Sequence, residues 1–153
     1  MGETAAAEAS ERLALMLSEN GLQKATARVM AAFLFAEAES VTASELAESL
    51  GISSGSVSGA IKMLSTVGLI ERVPVPGSRR EHHRLREGAW ATLMSAKNGM
   101  LLAMLEAAEQ GMETVEPGSR PARRLTEMHD FYTFMLREIP ALLDRWHAER
   151  ASS

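Results

Sequence analysis

The 153-residue chain contains no cysteine. Disulfides, thiolate metal sites, thiol nucleophiles and thiol oxidation sensors are therefore excluded together. No apolar run approaches the roughly 20 residues that span a bilayer, so no membrane partner is expected. The start, Met1-Gly2-Glu3-Thr4, is acidic and leads into alanines, without the basic and apolar blocks of a signal peptide. No internal repeat is present, and low complexity is confined to the alanine-rich start. No glycine loop precedes a basic residue in the way a phosphate cradle requires. These absences predict a cytoplasmic protein with no cofactor and no metal. What remains is 46% hydrophobic and 24% charged, enough for one conventionally cored domain or a small domain with an appendage.

The formal net charge of −4 is unevenly spread. Residues 1–50 carry 3 basic and 8 acidic side chains, residues 51–90 carry 6 and 3, and residues 91–153 carry 7 and 9. A basic middle between acidic ends suggests one surface for a polyanion, flanked by surfaces that would repel it.

Hydrophobic periodicity predicts a mostly α chain with one small β hairpin. Leu13, Met16 and Leu17 form a stripe on a first helix that Asn20-Gly21 stops. A second helix runs from about Leu22 to Ala38 with Val29, Met30, Phe33 and Leu34 at helical spacing, and Ser40-Val41-Thr42 breaks it. Ser44 or Thr42 caps a short helix ending at Gly51, and Ser53 caps another from Ser54 to Thr66. Residues 69–76 turn β-branched, with prolines that only an edge strand tolerates. Gly77-Ser78-Arg79-Arg80 is then a turn, and His82 to Arg86 the return strand. A long helix is predicted over about 88–115, and a last one over about 121–148, in which Pro140 should kink or interrupt the backbone ladder.

The segment from Ala43 to Leu64 has the pattern of a helix–turn–helix. Leu46, Leu50, Ile52, Val57 and Ile61 are spaced to share one buried face. Ala47 allows a close crossing, and Gly51 suits a tight turn. The outer face of the second helix is left with Ser54, Gly55, Ser56, Ser58, Gly59 and Lys62, small and polar residues that suit close approach to a major groove. The hairpin adds Arg72, Arg79, Arg80 and Arg84. Arginine at a hairpin tip fits a narrow, electronegative minor groove, and nearby cations hold phosphates. Candidate DNA contacts are Ser53, Ser54, Ser56, Ser58, Lys62, Arg72, Arg79 and Arg80, with Lys24 and Arg28 near the backbone.

Residues 22–90 resemble the winged helix–turn–helix of the MarR family of bacterial transcriptional regulators. The residues carrying the resemblance are Ala43 to Ser53, Ser56 to Leu64, Gly68-Leu-Ile-Glu-Arg-Val73 and Pro76-Gly-Ser-Arg-Arg80. Upstream, Gly21 to Arg28 is similar to the Gly-x-Pro-Arg-x-x-Gly-Arg motif of the GbsR-like branch, departing from it at Gln23, Lys24 and Ala27. Ser78 stands where the family usually has an Asp that helps hold the wing arginine. The resemblance implies a homodimeric repressor on double-stranded DNA with a pseudo-palindromic operator. Its parts would be an N-terminal dimerisation helix (1–21), a DNA-binding domain (22–87) and C-terminal dimerisation helices (88–153). The apolar stripes over 90–112 and 125–146 agree, being too extensive for a helix pair to hide alone.

The resemblance also implies a small-molecule effector bound between the dimerisation helices and the DNA-binding lobe. Candidate lining residues are Trp90, Met94, His129, Phe131, Tyr132 and Met135. A Met/aromatic lining suits an apolar or cationic ligand, and an Arg/His-rich neighbourhood suits an anion.

Catalysis is not expected. Gly51-Ile-Ser-Ser-Gly55 fits the hydrolase pattern Gly-x-Ser-x-Gly, but that elbow needs a preceding strand and a large sheet beneath. His82 and His83 are neighbours on a strand and point to opposite faces, so they cannot chelate together. The alternative from another class is a winged-helix protein-interaction module, which the low overall pI of about 5.6 leaves open.

Overall fold

The computed structural model describes residues 2–153; Met1, where the predicted N-terminal segment begins, lies outside them. The elements in order are α1 (Gly2–Glu19), α2 (Lys24–Phe35), β1 (Val41–Thr42), α3 (Ala43–Leu50), α4 (Ser54–Thr66), β2 (Ile70–Val73), β3 (His82–Leu85), α5 (Ala89–Ala96), α6 (Asn98–Met112) and α7 (Arg120–Ala151). The chain is mostly helical with a small antiparallel sheet, in the winged helix–turn–helix order. It divides into two compact units, one ending at Thr92 and the other Leu93–Ser153. Among the described residues, no helix is long and apolar enough to cross a membrane.

In the first unit α2 is the spine. Its buried residues Thr26, Ala27, Val29, Met30, Ala31 and Phe33 cover more than one side of the helix, because α2 packs on both α1 and α4. Toward α1, Ala14 meets Ala27 and Ala31, with Leu13, Leu17 and Leu22 at the margin. Small side chains here let the helices approach closely. The residues predicted as a separate N-terminal segment thus share a core with the winged helix. Toward α4, Val57, Ala60 and Leu64 are buried, and Leu46, Leu69 and Ile70 complete the core.

Two elements differ from the expectation. Val41–Thr42, predicted as a break, pairs with β3 (Val41 with His83, Thr42 with His82), so the sheet has three strands in the order β1-β3-β2. Two residues are too few for a periodic signal; long-range pairing made this strand. The helix predicted over 88–115 is two helices. Lys97 N–H bonds Met94 O at 3.3 Å in a tighter turn, where Asn98 and Gly99 are weak helix formers. The helix α7 continues through Pro140. An exposed proline removes one bond of the ladder, and the 32-residue helix retains the rest.

The second unit is a helical hairpin. Ser119 caps α7 by accepting the Ala122 N–H at 3.2 Å, with Pro121 in the first turn. The α6–α7 crossing is tight at Gly111, where an added Cβ would lie 3.0 Å from Leu125.

Candidate nucleic-acid interface

The helix–turn–helix is built by two caps and a turn. Thr42 Oγ1 accepts the Glu45 N–H at 3.2 Å, and Glu45 accepts the Thr42 N–H at 3.1 Å, a reciprocal capping box. Of the two capping candidates, Thr42 is the one used. Because Thr42 also lies in β1, the start of α3 is fastened to β3. Gly51 ends α3 in the left-handed region (φ 64°) with its N–H on Ala47 O. Ser53 caps α4, accepting the Ser56 N–H at 3.1 Å and donating to Ser56 Oγ at 2.9 Å. Both Ser53 and Ser56 are thus engaged within the protein, although exposed.

Beyond that cap the face of α4 is open. Ser54, Ser58 and Lys62 are exposed, and a Cβ built on Gly55 or Gly59 would meet nothing within 4 Å. Val57, Ala60 and Leu64 occupy the opposite side, so the helix divides cleanly into a buried stripe and a bare one.

The wing follows from β2 and β3, paired from Ile70–Leu85 to Val73–His82. Its side chains are less free than the sequence suggests. Arg84 bonds Glu71 at 3.0 Å directly across the hairpin, and Arg72 pairs with Glu81 at 3.3 Å. Both Arg72 and Glu81 are well exposed, so that pair is weak and yields readily to a phosphate. Arg79 and Arg80, at the tip, form no ion pair among the described residues. Lys62 and Lys24 form none either.

Arg28 departs furthest from the expectation. Its guanidinium grips Glu11 of α1 (Nη2 to Oε1 3.0 Å, Nε to Oε2 3.2 Å), and Nη1 donates to Leu50 O at 3.0 Å. That carbonyl is one of the unsatisfied acceptors at the end of α3. Arg28 is an internal clamp between α1, α2 and the helix–turn–helix turn, with its fork already filled.

Comparison with known proteins now decides the family. A MarR family model matches residues 20–81, and a model of MmpR5-like MarR family transcriptional regulators matches residues 88–149. The HTH-type transcriptional regulator MmpR5 of Mycobacterium tuberculosis (strain ATCC 25618 / H37Rv) is 30% identical over 139 residues, covering 89% of this chain and 83% of that protein. The chain belongs to the MarR family of transcriptional regulators. A solved structure described as the crystal structure of a transcriptional regulator superposes with a TM-score of 0.84 at 28% identity, over 94% of this chain and 99% of that one. MarR-family proteins are regulators and not enzymes, and the winged helix is their DNA-binding part. The matched subgroup is MmpR5-like, whereas residues 21–28 resemble the GbsR-like branch; membership of the MarR family is what the matches carry.

The predicted effector residues are dispersed in character. Trp90 and Met94 are exposed on α5. On α7, exposed Phe131 and half-buried Tyr132 meet edge-to-face at 5.3 Å. Met135 lines a groove of about 320 Å³ with Phe134, Ile139 and Leu142. His129 faces two carboxylates, Glu109 at 3.4 Å and Asp130 at 3.2 Å. The Asp130 hydrogen bond first, then Glu109, raises its pKa above the usual histidine value. Among the described residues, no group of three or more His, Cys, Asp or Glu side chains is arranged to hold a metal ion.

Proposed function

We propose that this MarR-family protein is a cytoplasmic, homodimeric, ligand-responsive repressor acting on a pseudo-palindromic operator. The bare face of α4 carries the reading. Ser54, Ser58 and Lys62 stand beside two glycines with nothing over them, and small polar side chains bring the helix close to base edges. Arg79 and Arg80 extend the contact to the adjacent minor groove or its phosphates. Lys24 and Arg72 add phosphate contacts, Ser53 and Ser56 hold the start of the recognition helix, and Arg28 sets its turn. Two such helices about 34–36 Å apart would enter successive major grooves, with α1, α6 and α7 forming the dimer.

Repression is relieved, on this reading, by a ligand of apolar or cationic character. Candidate residues within the second unit are Met94, Phe131, Tyr132 and Met135, with His129 held between carboxylates. Aromatic and methionine side chains left exposed on α5 and α7 support it, since these residues adapt to organic ligands and cations.

The test is fluorescence anisotropy of the purified protein on duplex DNA from upstream of its own gene, against a shuffled duplex, at about 150 mM salt. A preference on the order of 10³, at two protomers per site, is the expected result. Weak and equal binding that persisted through selection from random sequence would hand the recognition face to a protein partner instead. A chemically broad ligand panel producing neither a thermal shift nor release of DNA would end the effector reading.

A further inference from the structure

The wing tip is a long connection, Pro74 to Glu81, that carries both unpaired arginines between β2 and β3. Its first turn is fixed by the chain itself. Ser78 N–H bonds Val75 O at 3.1 Å around Pro76 and Gly77, with Gly77 at φ 82°, the pattern of a Pro-Gly turn. Beyond that turn the arginine segment is held by side chains. Ser78 Oγ accepts the Arg80 N–H at 3.2 Å and lies 2.9 Å from His82 Nε2. The other ring nitrogen, His82 Nδ1, lies 3.2 Å from Ser40 Oγ. Ser40 stands just before β1, whose Thr42 pairs with His82 and caps α3.

We propose that Ser78, His82 and Ser40 are positioning residues for Arg80, forming a brace that ties the wing tip to the base of the helix–turn–helix before DNA arrives. This rests on the reading that the wing arginines touch DNA. A serine hydroxyl has one O–H and two acceptor lone pairs, so Ser78 takes the Arg80 N–H and still has a place for the ring in either tautomer. With Nδ1–H, Ser78 donates to Nε2 and Ser40 accepts; with Nε2–H, Ser40 donates to Nδ1 and Ser78 accepts. A hydroxyl and an imidazole thereby fix the backbone of Arg80 and leave its guanidinium uncommitted. A carboxylate at position 78 would instead set a negative charge beside it.

Two measurements test this. Without DNA, NMR of the full-length protein should show the Arg80 amide slowed in hydrogen exchange. Ser78→Ala should abolish that protection, His82→Ala reduce it and Ser78→Thr restore it. An Arg80 amide that exchanges as fast in the wild type as in Ser78→Ala would overturn the brace. With DNA, on a duplex selected from random sequence by the wild-type protein, Arg80→Ala should weaken binding on the order of tenfold or more, and Ser78→Ala by several-fold. The double variant should be no weaker than Arg80→Ala alone, because a brace without its arginine has nothing to position. Full additivity would mean that Ser78 acts on the fold at large and would overturn the positioning role. An Arg80→Ala protein that binds like the wild type would overturn the wing-contact reading and the DNA half of this inference, while the amide exchange at position 80 still decides the brace.

Discussion

The two units of this molecule spend the same kinds of residue differently. The first, ending at Thr92, buries Val29, Val57 and Ile70 almost completely, together with Leu46, Leu64 and Leu69. The second, from Leu93 onward, buries only Ala108 and Ile139 among the described residues, while Met100, Phe131 and Leu142 remain 65%, 55% and 54% exposed. Both contain regular helices, some capped by side chains and some not, so local hydrogen bonding does not separate them. The difference lies in the hydrophobic term, worth about 25 cal/mol per Å² of apolar surface removed from water. The first unit realises it within one chain. The second leaves much of it unrealised, as a helix pair must when no third layer covers it. A surface of this kind calls for a partner, and a second copy of the same chain is the partner the MarR family membership supports.

The comparison can be broken most forcefully at the exposed stripe of α7. Leu142→Glu is expected to shift the protein from dimer to monomer in sedimentation and to weaken operator binding on the order of a hundredfold or more, since two half-sites then bind without linkage. A variant with unchanged mass would remove Leu142 from any interface. Next comes the first unit's core. Leu64→Ala should cost about 2–4 kcal/mol in denaturant unfolding without changing oligomeric state, the reverse of the Leu142 result. Third, Arg28→Ala should cost about 1–2 kcal/mol by uncapping Leu50 O and freeing Glu11. If Arg28 acts only inside the fold, the salt dependence of DNA binding stays unchanged; a slope reduced by about one would restore it as a phosphate contact.

The smallest effects are those of pH, and they run in opposite directions in the two units. His83 is buried, its Nδ1 has no hydrogen-bond partner within the protein, and burial is the first cause lowering its pKa below 6.5. The unfolded chain therefore takes up this proton more readily than the folded one. The stability due to the neutral ring is complete above the unfolded value and lost as pH falls below it. Urea midpoints at pH 7.5 and 5.5 should differ less in His83→Phe than in the wild type. His129 has its pKa raised by Asp130 and Glu109. Its contribution is present below pH 6.5 and fades as pH rises through the folded value, so His129→Gln should slightly steepen the loss of stability on the acid side. Equal pH profiles for all three proteins would count against both assignments.

How much was readable depended on whether the signal was local. Caps and stops were readable because Ser53, Gly51 and Gly68 act within a turn of their own position. The divided face of α4 was readable because helical period alone separates Val57 and Leu64 from Ser54, Ser58 and Lys62. Strand β1 was not, since Val41 and Thr42 become a strand only by meeting His82 and His83. Arg28 carries the same charge whether it meets a phosphate or Glu11, and 17 residues of sequence separate the two.

The sequence by itself determined the MarR-type order of elements, the buried stripes and the arginines at the wing tip, because each follows from spacing along one backbone. Only the tertiary structure decided which cations were already taken. It also linked Ser78 through His82 to Ser40 and drew Val41 and Thr42 into the sheet. Those outcomes depend on distances between residues far apart in the chain, and no periodicity encodes such distances.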